Sequence, residues 1–264
     1  MLPIANVIQS TKCKYILFAT EDHISQHLYL RGEWMQPLLL ITELFTNDDD
    51  QALVLDVGAN VGSYCIPVAQ GIAAKNGLVY AYEPQRVVFY QLCGSTVLNS
   101  VGNLYNYNLA IGREDGHITV PELDFFKSTN NGAFSLDADI RSHFPEVTVA
   151  AGSSEYPCEQ KRLDSIAFPR PITLMKIDVE GLELAVLQGA TATLEQSKFP
   201  PLLLEAWSKD WFADKKKDLQ QHLAHLGYQI FTLGDEIIAQ HPGFPKQIEF
   251  RVQENQGVTV HRVR

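Results

Sequence analysis

The sequence predicts an α/β fold, a mostly parallel sheet with helices on both faces. Three observations predict it. Short apolar segments alternate with helix-length segments between residues 52 and 111, and again from residue 172. The strand segments, such as ALVLDV and LVYAY, are near-continuous apolar runs, as expected of strands covered on both faces. A glycine-bearing turn, GANVG at 58–62, joins the first of these strands to the helix after it. Ligands of parallel sheets bind beyond the carboxyl ends of the strands, where such turns lie.

In chain order, residues 15–19 (YILFA) predict a strand. Residues 34–45 predict a helix: Leu38, Ile41 and Phe45 share one face, and Pro37 falls in the first turn, where a missing N–H is tolerated. The acidic run at 47–50 predicts a solvated turn rather than a calcium loop. Residues 1–50 are read as an N-terminal extension that contributes a lid or substrate wall. Strands at 52–57, 78–82 and 104–109, with helices at 63–74 and 87–98, make a βαβαβ unit.

The alternation lapses at 113–160, which is read as an insertion that helps build the substrate wall. Strand candidates within it are 117–120, 133–136 and 147–150, with a turn at 130–132. The pattern resumes with strands at 172–178 and 201–205 and helices at 182–194 and 215–226, the last ended by Gly227. Late strands are expected at 228–233, 248–252 and 258–263, the last two joined by a turn at 255–257. Residues 51–264 are thus one domain carrying the insertion.

Composition narrows the partners. The chain has 264 residues, 45% hydrophobic, with a formal net charge of −10. That charge disfavours general nucleic-acid binding and anionic membranes. The four cysteines form no CxxC pair, so structural zinc and dithiol chemistry lose their usual signature. A reducing, cytoplasmic location is expected. The first ten residues lack a signal-peptide pattern, and the longest apolar runs are too short to span a bilayer. The oligomeric state is left open.

The residues at the sheet edge are more specific. Asp56 and the 58–62 turn follow the first strand of the unit, and Glu83 ends the second. An acid in that place can accept both hydroxyls of a ribose. The blander reading is that Gly58 and Gly62 only shape a turn and Glu83 caps a helix. The turn is not GxGxxG, since Ala59 and Asn60 stand where the middle glycine belongs, and it has no phosphate-loop lysine. A ligand with a ribose but no pyrophosphate fits better. S-adenosylmethionine has that character, and its positive charges suit Asp56 and Glu83.

In order along the chain, Asp56-Val-Gly-Ala-Asn-Val-Gly62, Tyr80-Ala-Tyr-Glu-Pro84, Leu98-Asn99, Asn108-Leu-Ala-Ile-Gly112, Leu163-Asp164, Met175-Lys-Ile-Asp-Val-Glu-Gly181 and Pro201-Leu-Leu-Leu-Glu205 resemble the FkbM-type methyltransferases. The combination of DVGANVG, KIDVEG and LLLE carries the resemblance. It implies a Rossmann-like class I methyltransferase fold with a seven-stranded sheet. It also implies S-adenosylmethionine-dependent methylation, mostly at hydroxyl oxygens of small molecules or sugar-containing products, so the expected partner is a small-molecule or glycan-type acceptor. By resemblance, Asp56, Gly58, Asn60 and Gly62 wrap the methionine part of the cofactor and Glu83 holds the ribose. Asn108 and the residues after it lie near the adenine, and Glu33 closes over the amino group; Asp178, from its own place at the cofactor edge of the sheet, is also expected to contact the cofactor.

Methyl transfer to a hydroxyl needs in-line positioning and a route for the proton. Asp178 and Glu180 follow the 172–178 strand segment, and Glu205 ends the next strand. Glu180 or Asp178 is the expected base, with Glu205 and Lys176 as orienting groups; Lys176 and Asp178 share a strand face. Glu180 could instead merely start a helix. Asp178, Glu180 and Glu205 have ligand chemistry for magnesium, but their spacing does not demand it, and catalysis is expected to be metal-independent. His23, His27, His117 and His143 are spare base candidates that read more readily as surface or supporting residues. Trp34, Trp207 and Trp211 are candidate pocket aromatics, Trp207 foremost. The alternatives are an NAD-dependent oxidoreductase, disfavoured by the missing GxGxxG, and a non-catalytic cofactor-binding protein.

Overall fold

A computed structural model describes residues 1–150, 152, 155–253 and 257–263. The N-terminal extension folds as an antiparallel hairpin, β1 (Ala5–Gln9) and β2 (Lys14–Phe18), followed by α1 (His23–Arg31) and α2 (Gln36–Thr46). Only β2 and α2 were legible in the sequence pattern. α1 carries few apolar residues on one face, with Ile24, Ser25 and Leu28 buried.

The alternating region gives β3 (Leu53–Val57), α3 (Cys65–Ile72), β4 (Leu78–Tyr82), α4 (Arg86–Leu98) and β5 (Leu104–Tyr107). β5 stops short of the predicted 109. The insertion contributes β6 (Ala110–Ile111), β7 (Gly116–Pro121), the one-turn α5 (Ala138–Arg141) and β8 (Glu155–Lys161), with β6-β8-β7 forming a small sheet. The expected strand at 133–136 is replaced by a 3-10 turn at Asn131–Ala133, and 147–150 makes only an isolated bridge, Val149 to Leu123.

Beyond it come β9 (Leu174–Ile177), α6 (Glu183–Gln188), α7 (Thr191–Gln196), β10 (Leu202–Glu205), α8 (Ala213–His225), β11 (Gln229–Leu233) and β12 (Glu236–Gln240). β13 (Ile248–Gln253) and β14 (Gly257–Arg262) close the chain as a hairpin. Residues 255–256 of its expected turn lie outside the described residues.

The predicted 182–194 helix is two helices. At Gly189 the chain passes so near the insertion's base that a Cβ would lie 2.1 Å from the Gly112 carbonyl oxygen. Asp164 then restarts the helix, accepting N–H from Ala192 and Thr193 at 3.2 and 2.8 Å. β12 was missed by the sequence reading. Its signal was a two-residue turn, Gly234 (φ +63°) and Asp235, before the apolar Ile237, Ile238 and Ala239.

The main sheet is seven-stranded, in the order β5-β4-β3-β9-β10-β12-β11, with β12 antiparallel to both neighbours and the central strands parallel. This is the class I methyltransferase arrangement. Strand side chains alternate between two cores. Val54 and Leu174 face the α2–α3–α4 layer, while Leu55, Val57, Met175 and Ile177 face α6, α7 and α8. Asp56 and Lys176, opposite each other in register, therefore point into the α3 side. Among the described residues no helix is long and apolar enough to cross a membrane.

Candidate active site

A cleft of about 510 Å³ opens at the carboxyl ends of β3, β4, β9 and β10, the place a parallel sheet offers to ligands. One wall is the turn at 58–60, Glu83 to Gln85, and Leu109 to Ile111. The lining continues through Lys176, Asp178, Glu180, Glu205 and Trp207. His23, Trp34 and residues 130–134 close the top.

The glycine turn is fixed by its neighbours. The N–H groups of Gly58 and Ala59 donate to the Tyr82 carbonyl at 3.0 and 2.9 Å. Gly58 has φ +85°, and a Cβ there would sit 1.7 Å from the Asp178 carbonyl oxygen. Glycine is needed because the turn lies flat against the end of β9. Asn60 also takes a left-handed backbone, φ +50°. Its N–H donates to Glu83 Oε2 at 2.9 Å, while Glu83 Oε1 accepts the Gln85 N–H at 2.7 Å. Glu83 thus both lines the cleft and ties the turn to the entrance of α4. The ribose-binding and helix-entry readings fall on the same carboxylate, and burial pushes its pKa up to about 7 against those two N–H groups.

Four of the residues assigned to the cofactor stand elsewhere. Gly62 packs: a Cβ would strike Ile66 and Leu92 at 2.7 and 2.8 Å. Asn108 is exposed and clamps the end of β4, its amide donating to the carbonyls of Glu83 and Pro84. Glu33 is exposed and outside the cleft lining, which Trp34 and Met35 enter instead. Asp56 is wholly buried beneath the cleft, one residue short of the end of β3.

Asp56 serves as a counter-ion there. Lys176 Nζ lies 3.5 Å from Asp56 Oδ1 and 2.9 Å from Asp178 Oδ2, and sits 5.6 Å over the Tyr64 ring. The two carboxylates keep the lysine charged despite its burial. Burial pushes Asp56 up to about 6, with Lys176 pulling the other way. Lys176 and Asp178 share a strand face, as expected.

Glu180 (φ +55°) and Gly181 (φ +92°) form a left-handed corner after β9. The buried Glu183 holds the corner by accepting the N–H groups of Val179 and Gly181 at 3.1 and 3.0 Å. Glu180 therefore precedes α6 and faces the cleft instead of capping the helix. Asp178, Glu180 and Glu205 each bring a carboxylate oxygen within 4.8 Å of the others, a closeness not evident from their spacing in the chain. One divalent cation could bridge them. Burial, reinforced by mutual repulsion, pushes Glu180 and Glu205 well above the usual carboxylate range.

Acids whose proton affinity is raised by burial, wholly or in part, set a pH dependence. Glu83, Glu183 and Glu236 are each raised to about 7, and Asp56 to about 6. The folded chain holds their protons where the unfolded chain has released them, so stability is highest below the unfolded values and falls as pH rises through the folded ones. We expect the melting temperature of the ligand-free chain to decline between about pH 4.5 and 7. A scan that rises across that window would reject the burial assignments.

His23, a spare base candidate that read more readily as a surface or supporting residue, lines the cleft edge-on to Trp34 at 5.7 Å. Two further lining residues escaped the sequence reading. Lys209 and Asp235 also line it. Asp235 accepts the Ser208 N–H at 2.8 Å and its carbonyl accepts the Ala206 N–H at 2.7 Å, so the unforeseen β11–β12 turn supports the loop that carries Trp207 and Lys209. Trp211 lies outside the lining and packs on Trp207, 37% exposed, with His143 stacked on its ring at 4.1 Å. His27 packs edge-on to Trp34 and His117 is exposed on β7.

The chain matches the methyltransferase FkbM domain over residues 56–230. It is 23% identical over 151 residues to Methyltransferase 1 of Beauveria bassiana (strain ARSEF 2860), a match covering 53% of this chain and 59% of that protein. It is similar to a solved methyltransferase FkbM from Methylobacillus flagellatus KT, with a TM-score of 0.45 and 20% identity over 72% of this chain and 43% of that one. A second similar structure is a precorrin-6y C5,15-methyltransferase from Geobacter metallireducens GS-15, with a TM-score of 0.43 and 12% identity over 86% and 83% of the two chains. The chain spans under two thirds of the length of the Beauveria and Methylobacillus proteins. The FkbM domain match runs from Asp56 at the end of β3 to Ile230 in β11, across most of the main sheet, and the chain belongs to the FkbM methyltransferase family.

Proposed function

We propose that this chain transfers a methyl group from S-adenosylmethionine to a hydroxyl oxygen of a small-molecule or glycan-type acceptor. The observation that carries this reading is one cleft joining the Gly58 turn and Glu83 to the half-buried carboxylates Asp178, Glu180 and Glu205. The residues fit the cofactor. The absence of a Cβ at Gly58 lets the turn lie flat against the end of β9 along the cleft, and Glu83 supplies a carboxylate at the wall where a ribose can lie. Leu109, Ala110 and Ile111 give that wall an apolar surface beside Glu83.

When bound, S-adenosylmethionine supplies an electrophilic methyl group on sulfur. The chain's part is to place the acceptor and take its proton. Glu180 and Glu205 are the proton-accepting groups. Their raised affinity for protons makes either a stronger base, once ionised, than an exposed carboxylate. Lys176 holds Asp178 in place, and Trp207 and Phe144, with ring centroids 5.0 Å apart, keep water from the acceptor side. Ala59 and Asn60 leave the NAD-dependent alternative without the glycines a pyrophosphate needs.

Titration calorimetry with S-adenosylhomocysteine tests the cofactor assignment. Glu83→Ala is expected to weaken binding about 10- to 100-fold, the loss of a hydrogen bond to a charged group. An unchanged affinity would remove Glu83 from the site. Acceptor-dependent formation of S-adenosylhomocysteine tests turnover, and its absence across hydroxylated acceptors would favour a non-catalytic binding protein.

A further inference from the structure

The top of the cleft is made from two segments far apart in the chain, and one buried side chain joins them. Asp22 is 5% exposed. Its Oδ2 accepts the Ser25 N–H at 3.0 Å and the Ser25 hydroxyl at 2.8 Å, which caps α1. Its Oδ1 accepts the N–H of Asn131 at 2.9 Å, 109 residues away. A cap alone needs one oxygen; the second is spent on the insertion. Beside it the His23 N–H donates to the Thr129 carbonyl at 2.8 Å.

The joined segments press on the glycine turn. A Cβ on Gly132 would lie 2.8 Å from Ile24 Cδ1 and 2.9 Å from Asn60 Nδ2. His23, Ile24 and residues 130–134 line the same cleft as residues 58–60. α1 has nine residues, too few to be stable in isolation, so its placement depends on such ties.

We propose that Asp22 is a positioning residue that clasps α1 to the insertion over the glycine turn and so holds the cofactor in the cleft. Opening this clasp releases the cofactor, and closing it completes the wall above Asn60. The proposal rests on the cofactor assignment made above, and the following experiment separates the two.

S-adenosylhomocysteine affinity and release rate are measured for the wild type, Asp22→Ser and Gly132→Ala, with amide hydrogen exchange in the presence and absence of the ligand. Serine keeps one acceptor for the α1 cap but lacks the second carboxylate oxygen. Release is expected to be about tenfold faster in Asp22→Ser, with the dissociation constant raised to match. Gly132→Ala, which acts from the opposite side by displacing Asn60 or Ile24, should weaken binding in the same direction. In the wild type the ligand should slow exchange at residues 23–25 and 129–132, a response that Asp22→Ser should lose and that a merely structural role would leave in place. Failure of the wild type to bind the ligand overturns the cofactor assignment and the clasp with it. Wild-type binding with unchanged release in both variants overturns the clasp alone. If Asp22→Ser does not fold, Gly132→Ala and the wild-type exchange pattern decide, and a wild type whose exchange at 129–132 ignores the ligand overturns the proposal.

Discussion

Glu180→Gln is expected to slow methyl transfer by about 10²–10⁴-fold, the usual contribution of a positioned general base. S-adenosylhomocysteine affinity should change little, because the cofactor contacts proposed above are made by Glu83 and the glycine turn and not by Glu180. Glutamine keeps the volume and the left-handed corner that Glu183 supports, so the fold should survive. In the wild type, burial and nearby carboxylates hold protons on Glu180 and Glu205 at pH values where a free carboxyl has lost them. The chemical step should therefore accelerate as pH rises through this elevated range, and the variant should flatten that limb if Glu180 is the acceptor. Single-turnover transfer at saturating cofactor and acceptor measures both effects. A wild-type rate in the variant eliminates Glu180; if Glu205→Gln then shows the loss, the base is Glu205.

Much of this site was legible in the chain, and the misses share a cause. Short buried strands announce themselves as apolar runs, so β3, β4, β9 and β10 were all expected, and the residues at their carboxyl ends with them. Asp56 and Glu83 sit at equivalent places by sequence, yet only Glu83 reaches the cleft. Asp56 lies one residue inside β3 and points to α3, while Glu83 lies just past β4. The two differ by two residues along their strands and so share one face of the sheet, but only the later one clears the sheet's edge, and the apolar pattern does not locate strand ends that finely.

The upper wall was harder to foresee. α1 has only a weak apolar stripe, and the insertion contributes turns stitched by backbone hydrogen bonds. Neither has a periodicity to read. The pairing of Asp22 with Asn131 is set by the three-dimensional path of the chain, and an N-cap aspartate looks the same whether it makes one connection or two. The acidic run at 47–50 is a turn as expected, but it also anchors the C-terminal end: Lys246 lies 2.9 Å from Asp48 Oδ1, and Arg262 lies 2.7 Å from Asp48 Oδ2.

Lys176→Met should destabilise the chain by about 3–5 kcal/mol at pH 7.5, the range for removing one partner of a buried ion pair. Methionine fills nearly the same space, so the loss would be electrostatic rather than a cavity effect. Asp56, with no exposed surface, would be left without its cation at 3.5 Å, and Asp178 without its cation at 2.9 Å. Two features distinguish this account from generic core damage. The penalty should shrink as pH falls toward 5, because Asp56, already raised to about 6 beside the lysine, rises further without it and takes up a proton. The double variant Lys176→Met/Asp56→Asn should recover part of the loss, since it removes the orphaned charge while keeping its shape. Urea unfolding of the single and double variants at pH 5 and 7.5 gives the cycle. A penalty that is the same at both pH values and is not relieved by Asp56→Asn would mean that Lys176 acts through packing against Tyr64 and not as the shared counter-ion of the two strand ends.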